Sequence, residues 1–226
     1  MEHYNMNNLT SYEDGDTLTE KEKIVKLIRQ YLLNVTHINN CVSLVKTIDR
    51  VEQEYGEKIN KAPTFFGVTK QAITKNIIID TYKLFDFSLD GDSGIKPNRG
   101  TRNIGQFLSM MEMKTKMLSR PLYNGEEIGE ESKQLVRLSM EEFYEYTDVL
   151  KKVKFQRDKI YAHSDKKYFL YKDQRELGEK NITYQEIDML MMFSTKVLNN
   201  FLHYLNEIPQ ATLSVNTDDL LNLFVE

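Results

Sequence analysis

The stretch TEKEKIVKLIRQYLLNVTHINNCVSLVKTIDRVEQEY, residues 19–55, decides the fold class. Ile28, Tyr31, Val35, Ile38, Val42 and Val45 recur at alternating spacings of three and four, the period of one helix face. Thr19, followed by Glu22, is a capping box: hydroxyl and carboxylate satisfy reciprocal backbone N–H groups at a helix start. The stripe continues loosely to Tyr55, so one helix of about 36 residues would span about 54 Å at 1.5 Å per residue. A break at Asn39-Asn40 is the alternative. Three heptads are too short to establish a coiled coil, but they suit an antiparallel bundle partner.

Outward from this helix, Lys61-Ala62-Pro63 is a break, because the residue before a proline avoids helical geometry. Ile78, Tyr82 and Phe85 then give an apolar face to a second helix over residues 64–87. Ile77-Ile78-Ile79 consists of strand formers, yet the longer period favours helix. Residues 88–102, SLDGDSGIKPNRGTR, hold three glycines and a proline and read as a loop. The segment lacks the alternating acids and closing glutamate of a calcium loop. Asn103 caps a third helix carrying Ile104, Phe107, Leu108 and Met111 and ending near Leu118. Arg120-Pro121 and the Gly125 to Gly129 segment form the next connection, and a fourth helix is expected from Glu131 to His163.

A second capping box, Thr183 with Glu186, starts a fifth helix bearing Ile187, Leu190, Met191, Ser194, Leu198, Phe201, Leu205 and Ile208, stopped by Pro209. Residues 1–18 lack periodicity and read as a flexible tail. Residues 209–226 form an extension whose 217–225 stretch suits a short docking helix. The expected architecture is all-α: an antiparallel bundle of four to five helices over residues 19–208.

Composition agrees and narrows the class. Ten glycines and four prolines in 226 residues are about half the usual share, against collagen-like or many-turned β designs. The one cysteine, Cys41, excludes an intrachain disulfide and a cysteine-rich zinc module. No run approaches the length of a membrane span and no apolar signal core opens the chain, so a soluble, cytoplasmic protein is expected. The net charge of −4 is uneven. Lys151, Lys152, Lys154, Arg157, Lys159, Lys166 and Lys167, opposed only by Asp158 and Asp165, give one segment +5 and leave −9 elsewhere. A globally acidic chain does not coat nucleic acid, but a local patch can hold a few phosphates.

Most catalytic templates are absent: no Gly-rich phosphate loop, no His-Glu-x-x-His zinc site, no serine elbow. Cys41 reads as a small core residue, the methionines (Met110, Met111, Met191, Met192 among them) as core filler, and His37 and His203 as partly buried structural histidines. His3 lies in the tail. His163 differs because it follows Arg157 by six positions within the basic segment. An imidazole that titrates near neutrality can take the proton of a ribose 2′-OH or protonate a leaving 5′-oxygen. A guanidinium can grip the non-bridging phosphate oxygens bidentately as charge builds on phosphorus. On an ideal helix, however, six positions leave the two side chains about 120° apart. Either the helix distorts, or each residue faces a groove shared with a second copy across a two-fold axis. The structural alternative is a surface network of Arg157, Asp158 and Lys159, with His163 ending a helix favourably for its dipole.

Arg157-Asp158 followed by His163 resembles the R-x(4–6)-H motif of the HEPN superfamily. The longer string R-D-K-I-Y-A-H-S-D-K-K at 157–167 is similar to the HEPN domains of AbiU-type abortive-infection proteins of bacteria. T-Y-K-L-F-D at 81–86, a glycine-rich loop and N-I-G-Q-F-L at 103–108 follow the same order of elements, so the likeness covers roughly residues 20–208. The resemblance implies a dimerising helical bundle that often acts as a metal-independent endoribonuclease in toxin–antitoxin or phage-defence systems, without a cofactor. On that basis Arg157, His163 and Asp158 are the catalytic candidates. Lys154, Lys159, Lys166 and Lys167 are the RNA-binding candidates, with Asp86 and Tyr161 in support. RNA, a second copy of the chain and an antitoxin or operon partner are the expected partners. Some HEPN toxins carry, two residues after the histidine, a tyrosine that a partner nucleotidyltransferase modifies; Asp165 stands there in this chain. Other HEPN domains have lost catalysis and bind nucleotides or proteins, which is the alternative function.

Overall fold

The structure, a computed structural model, describes residues 18–60, 62–90, 94–98, 102–118, 127–158 and 181–212. Helix α1 (Glu20–Glu54) opens with the Thr19/Glu22 capping box: the Glu22 N–H donates to the Thr19 hydroxyl at 3.2 Å, and the Thr19 N–H donates to the Glu22 carboxylate at 2.7 Å. It runs unbroken through Asn39-Asn40 for 35 residues. The three-four stripe is its buried face, with Ile28, Leu32, Val35 and Val45 fully enclosed. Each such side chain contributes about 1.5–3 kcal/mol by leaving water.

A short helix, α2 (Gly56–Ile59), precedes the break, and Pro63 sits at the first position of α3 (Pro63–Phe85), where its missing N–H costs nothing. Residues 88–102 depart from the loop reading. Two four-residue strands, β1 (Phe87–Asp90) and β2 (Gly94–Pro97), pair antiparallel with Phe87 opposite Pro97 and Leu89 opposite Ile95. The hairpin is built by burying Phe87 and Ile95, not by alternation over a long strand.

Helix α4 (Ile104–Leu118) starts at Asn103, whose side-chain oxygen accepts from the Gln106 N–H at 2.8 Å. The expected fourth helix is two helices, α5 (Glu127–Glu145) and α6 (Thr147–Gln156), separated at Tyr146. The residues beyond, 159–180, lie outside the described ones, as do 1–17 and 213–226 with their expected tail and docking helix. The Thr183/Glu186 box caps α7 (Tyr184–Tyr204) as the sequence indicates. α7 ends before Pro209, at a turn where Asn206 adopts φ 57°, so Ile208 leaves the apolar face and is 83% exposed. The chain then reverses along α7, with the Asn199 side chain bonded to both backbone groups of Gln210 and Thr195 meeting Thr212 at 3.0 Å.

Ion pairs fix the directions of packing. Lys70 reaches Asp49 and Glu52, Lys46 reaches Asp188, Arg29 reaches Glu207, and Lys114 meets Glu20, so α3, α7 and α4 all run antiparallel to α1. The core between them is aromatic: Phe85 stacks on Phe143 and Phe193, and Phe107 meets Tyr31 and Phe201 edge-on. The protein is thus an all-α bundle with one small hairpin among the described residues.

Candidate functional site

The described part of the basic segment ends where α6 meets the C-terminal end of α3. α6 points Leu150 and Val153 into the core, and Gln156, also buried, donates to the Asn181 side-chain oxygen at 2.8 Å. The helix then widens into a π turn at residues 157–158. Such turns insert an extra residue into the helical register and recur at functional sites. The regular α-helical register therefore ends at Arg157.

Arg157 places its guanidinium carbon 3.7 Å from the centre of the Tyr82 ring, a direct cation–π stack. Lys154 lies 5.5 Å from the same ring. Asp158 bridges the two cations, with one carboxylate oxygen 2.9 Å from Arg157 Nε and the other 2.9 Å from Lys154 Nζ. The first contact is an ion pair without hydrogen-bond alignment, because the buried Arg157 N–H at Nε is not directed at an acceptor. All three charged side chains are about three-quarters covered, so they interact more strongly than exposed pairs would.

Tyr82 was legible only as a member of an apolar stripe, and its site role was missed. Its hydroxyl donates to the Phe87 carbonyl at 3.3 Å, with the Asp86 carboxylate close enough to compete for the same proton. Burial first, then the Asp86 carboxylate, push the phenol up to about 12, although Arg157 opposes the shift. It stays a neutral donor across the physiological range.

Asp86 is buried, and its contacts tie the end of α3 to the hairpin and to the start of α4. Asn98 donates its side-chain N–H to the Asp86 carboxylate at 2.6 Å and its backbone N–H to the Asp86 carbonyl at 3.2 Å. Asn103 donates to the Asn98 carbonyl at 3.2 Å, and Tyr31 donates to the Asn103 carbonyl at 3.2 Å. A polar chain thus joins α3, the hairpin, α4 and α1 beneath the site. Gly105 completes it: a Cβ there would lie 2.4 Å from the Pro97 ring, so only glycine lets β2 touch the first turn of α4.

Of the residues singled out from sequence, Arg157, Asp158, Lys154 and Asp86 gather around Tyr82. His163, Lys159, Tyr161, Lys166 and Lys167 lie outside the described residues. Two other expectations are corrected. His37 and His203 are exposed rather than partly buried. Met192, at 71% exposure, is not core filler. Cys41 is partly buried against the core, and burial, with Asp80 adding to it, pushes its thiol up. On the opposite side of α3, Asn34, His37, Asp80, Lys83, Leu84 and Arg102 line an open cleft of about 240 Å³. There Asp80 is already engaged by Lys83 at 2.9 Å and by His37 at 3.7 Å. Among the described residues no three metal-ligating side chains converge, and no helix is long and apolar enough to cross a membrane.

No curated protein and no solved structure matches the chain. The family of HEPN domains described as AbiU2 does, over residues 21–222, a span that takes in every element of the site. The chain therefore belongs to the AbiU2 family and carries an abortive-infection HEPN-type domain.

Proposed function

We propose that the protein is a metal-independent endoribonuclease of bacterial phage defence or of a toxin–antitoxin pair, with Arg157 as its phosphate clamp. The observation that carries this reading is the placement of Arg157: a side chain about three-quarters covered, its guanidinium stacked on the Tyr82 ring beside Lys154, at a π turn that ends α6. In the reaction, His163 takes the proton of a ribose 2′-OH as that oxygen attacks the adjacent phosphorus. The bond to the 5′-oxygen breaks, the leaving oxygen takes up a proton, and the products carry a 2′,3′-cyclic phosphate and a 5′-OH. Arg157 holds the non-bridging oxygens, where charge builds in the transition state. Asp158 steadies Arg157 through Nε, and Lys154 adds positive charge beside it. Lys159, Lys166 and Lys167 are the further candidates for contacts to the RNA backbone, by their charge.

Two copies related by a two-fold axis would set both arginine–histidine pairs along one groove, so the active unit is a homodimer. Purified protein should cleave cellular RNA in EDTA and leave cyclic-phosphate ends, and His163→Ala should abolish this while dimer size and helical signal persist. Cleavage by the His163→Ala protein at the wild-type rate would remove histidine from the mechanism.

A further inference from the structure

An arginine that clamps a phosphate needs more than charge. Its guanidinium plane follows several rotatable bonds, and each orientation it samples away from the phosphate lowers the chance of a productive complex. In this protein two neighbours restrict the plane. The Tyr82 ring covers one face at 3.7 Å, and the Asp158 carboxylate draws in the Nε side as an ion pair at 2.9 Å. Among the described residues these contacts of Arg157 leave Nη1 and Nη2 without a partner, the edge that a phosphate fork would use.

We propose that Tyr82 is a positioning residue for Arg157: its ring fixes the guanidinium plane so that an RNA phosphodiester is met edge-on, through Nη1 and Nη2. The proposal rests on the reading of Arg157 as a phosphate clamp. In-plane approach is the geometry in which two parallel N–H donors match the two non-bridging oxygens of a phosphodiester. A guanidinium approached from its face offers no such pair, and here one face is closed by the ring.

The platform is itself held. Tyr82 is 9% exposed, and its hydroxyl is tied to the Phe87 carbonyl, with the Asp86 carboxylate close to it. Asp86 is locked by Asn98, and Asn98 by Asn103 at the start of α4. A line of buried polar contacts therefore runs from α4 to the face of the clamp. The ring, not the hydroxyl, touches Arg157, so Tyr82→Phe keeps the platform. Tyr82→Leu and Tyr82→Met remove it while keeping apolar bulk.

The test combines an activity with a direct report on Arg157. The Arg157 Nε–H resonance should be ring-current shifted in the wild-type protein and in Tyr82→Phe, and should move toward its random-coil position in Tyr82→Leu and Tyr82→Met. In RNA cleavage, kcat should fall about tenfold to a hundredfold in Leu and Met and stay within about twofold in Phe, with KM changing by less than about threefold. Whichever of the Leu and Met proteins retains the wild-type helical signal and dimer size supplies the comparison. If it cleaves at the wild-type rate or keeps the shifted resonance, the positioning role is overturned. If even the wild-type protein cleaves no RNA, the ribonuclease reading fails by itself. Affinity for a labelled single-stranded RNA oligonucleotide then decides the role of Tyr82. Weaker binding by the Leu or Met protein, with Phe unchanged, supports it; equal binding by all overturns it.

Discussion

Along α1 the buried side chains are aliphatic or, at Tyr31, aromatic, with Thr47 the one small polar exception. Where α3 meets α6, Asp86 and Gln156 are buried outright, and Lys154, Arg157 and Asp158 are about three-quarters covered. An apolar stripe needs only neighbours to fill space. Buried polar groups need specific partners, and even when paired they return little net stability. The α1 face thus holds the bundle together, whereas the α3–α6 corner holds a particular arrangement of charges. The two regions should respond differently to substitution.

The largest expected difference is in stability. Phe85 lies fully buried against the Phe143 and Phe193 rings, and Phe85→Ala should cost about 3–5 kcal/mol in urea unfolding. A much smaller cost would mean that the core near the corner is loosely packed. Gly105→Ala probes the corner's support. Its new methyl would strike the Pro97 ring, which cannot swing aside, so the hairpin must shift, at about 1–3 kcal/mol. Because Pro97 precedes Asn98, activity should fall together with stability. Full activity in that variant would show that the hairpin, which packs Phe87 against the Tyr82 ring, does not govern the site.

The smallest effect concerns alkaline pH and compares one tyrosine from each region. Burial pushes Tyr31 up to about 12, with Arg102 opposing; Tyr82 is pushed up to about 12 by burial and then by Asp86. A raised native pKa means that the unfolded chain ionises first. Between about pH 10 and pH 12 it therefore holds fewer protons, and stability falls as pH rises. The contribution is complete below pH 10. Tyr31→Phe and Tyr82→Phe should each flatten the alkaline limb of a thermal-midpoint profile, and an unchanged limb would contradict these shifts.

What could be read from the sequence was local. Both capping boxes, the Asn103 cap and the α1 stripe depend on residues three or four apart, and each appears where expected. The hairpin escaped because its strands are only four residues long and sit among glycines that favour a loop reading. The break at Tyr146 carries no glycine or proline to announce it. Tyr82 escaped for a different reason. Its ring does belong to the apolar stripe of α3, but its partner is Arg157, and a pairing across such a distance in the chain leaves no periodic trace. The one local hint was Asp86, four residues on and hence on the same helix face, an acid within reach of a tyrosine hydroxyl.

The central claim is that Arg157 grips phosphate through a bidentate, in-plane contact, and Arg157→Lys tests it most directly because it keeps the charge and removes the fork. Initial rates of RNA cleavage in EDTA, measured for wild-type and Arg157→Lys proteins of equal helical signal and dimer size, give the answer. The account predicts a loss of about a hundredfold or more, the scale seen when one donor to a developing oxyanion is removed. A lysine variant that cleaves as fast as the wild-type protein would contradict it.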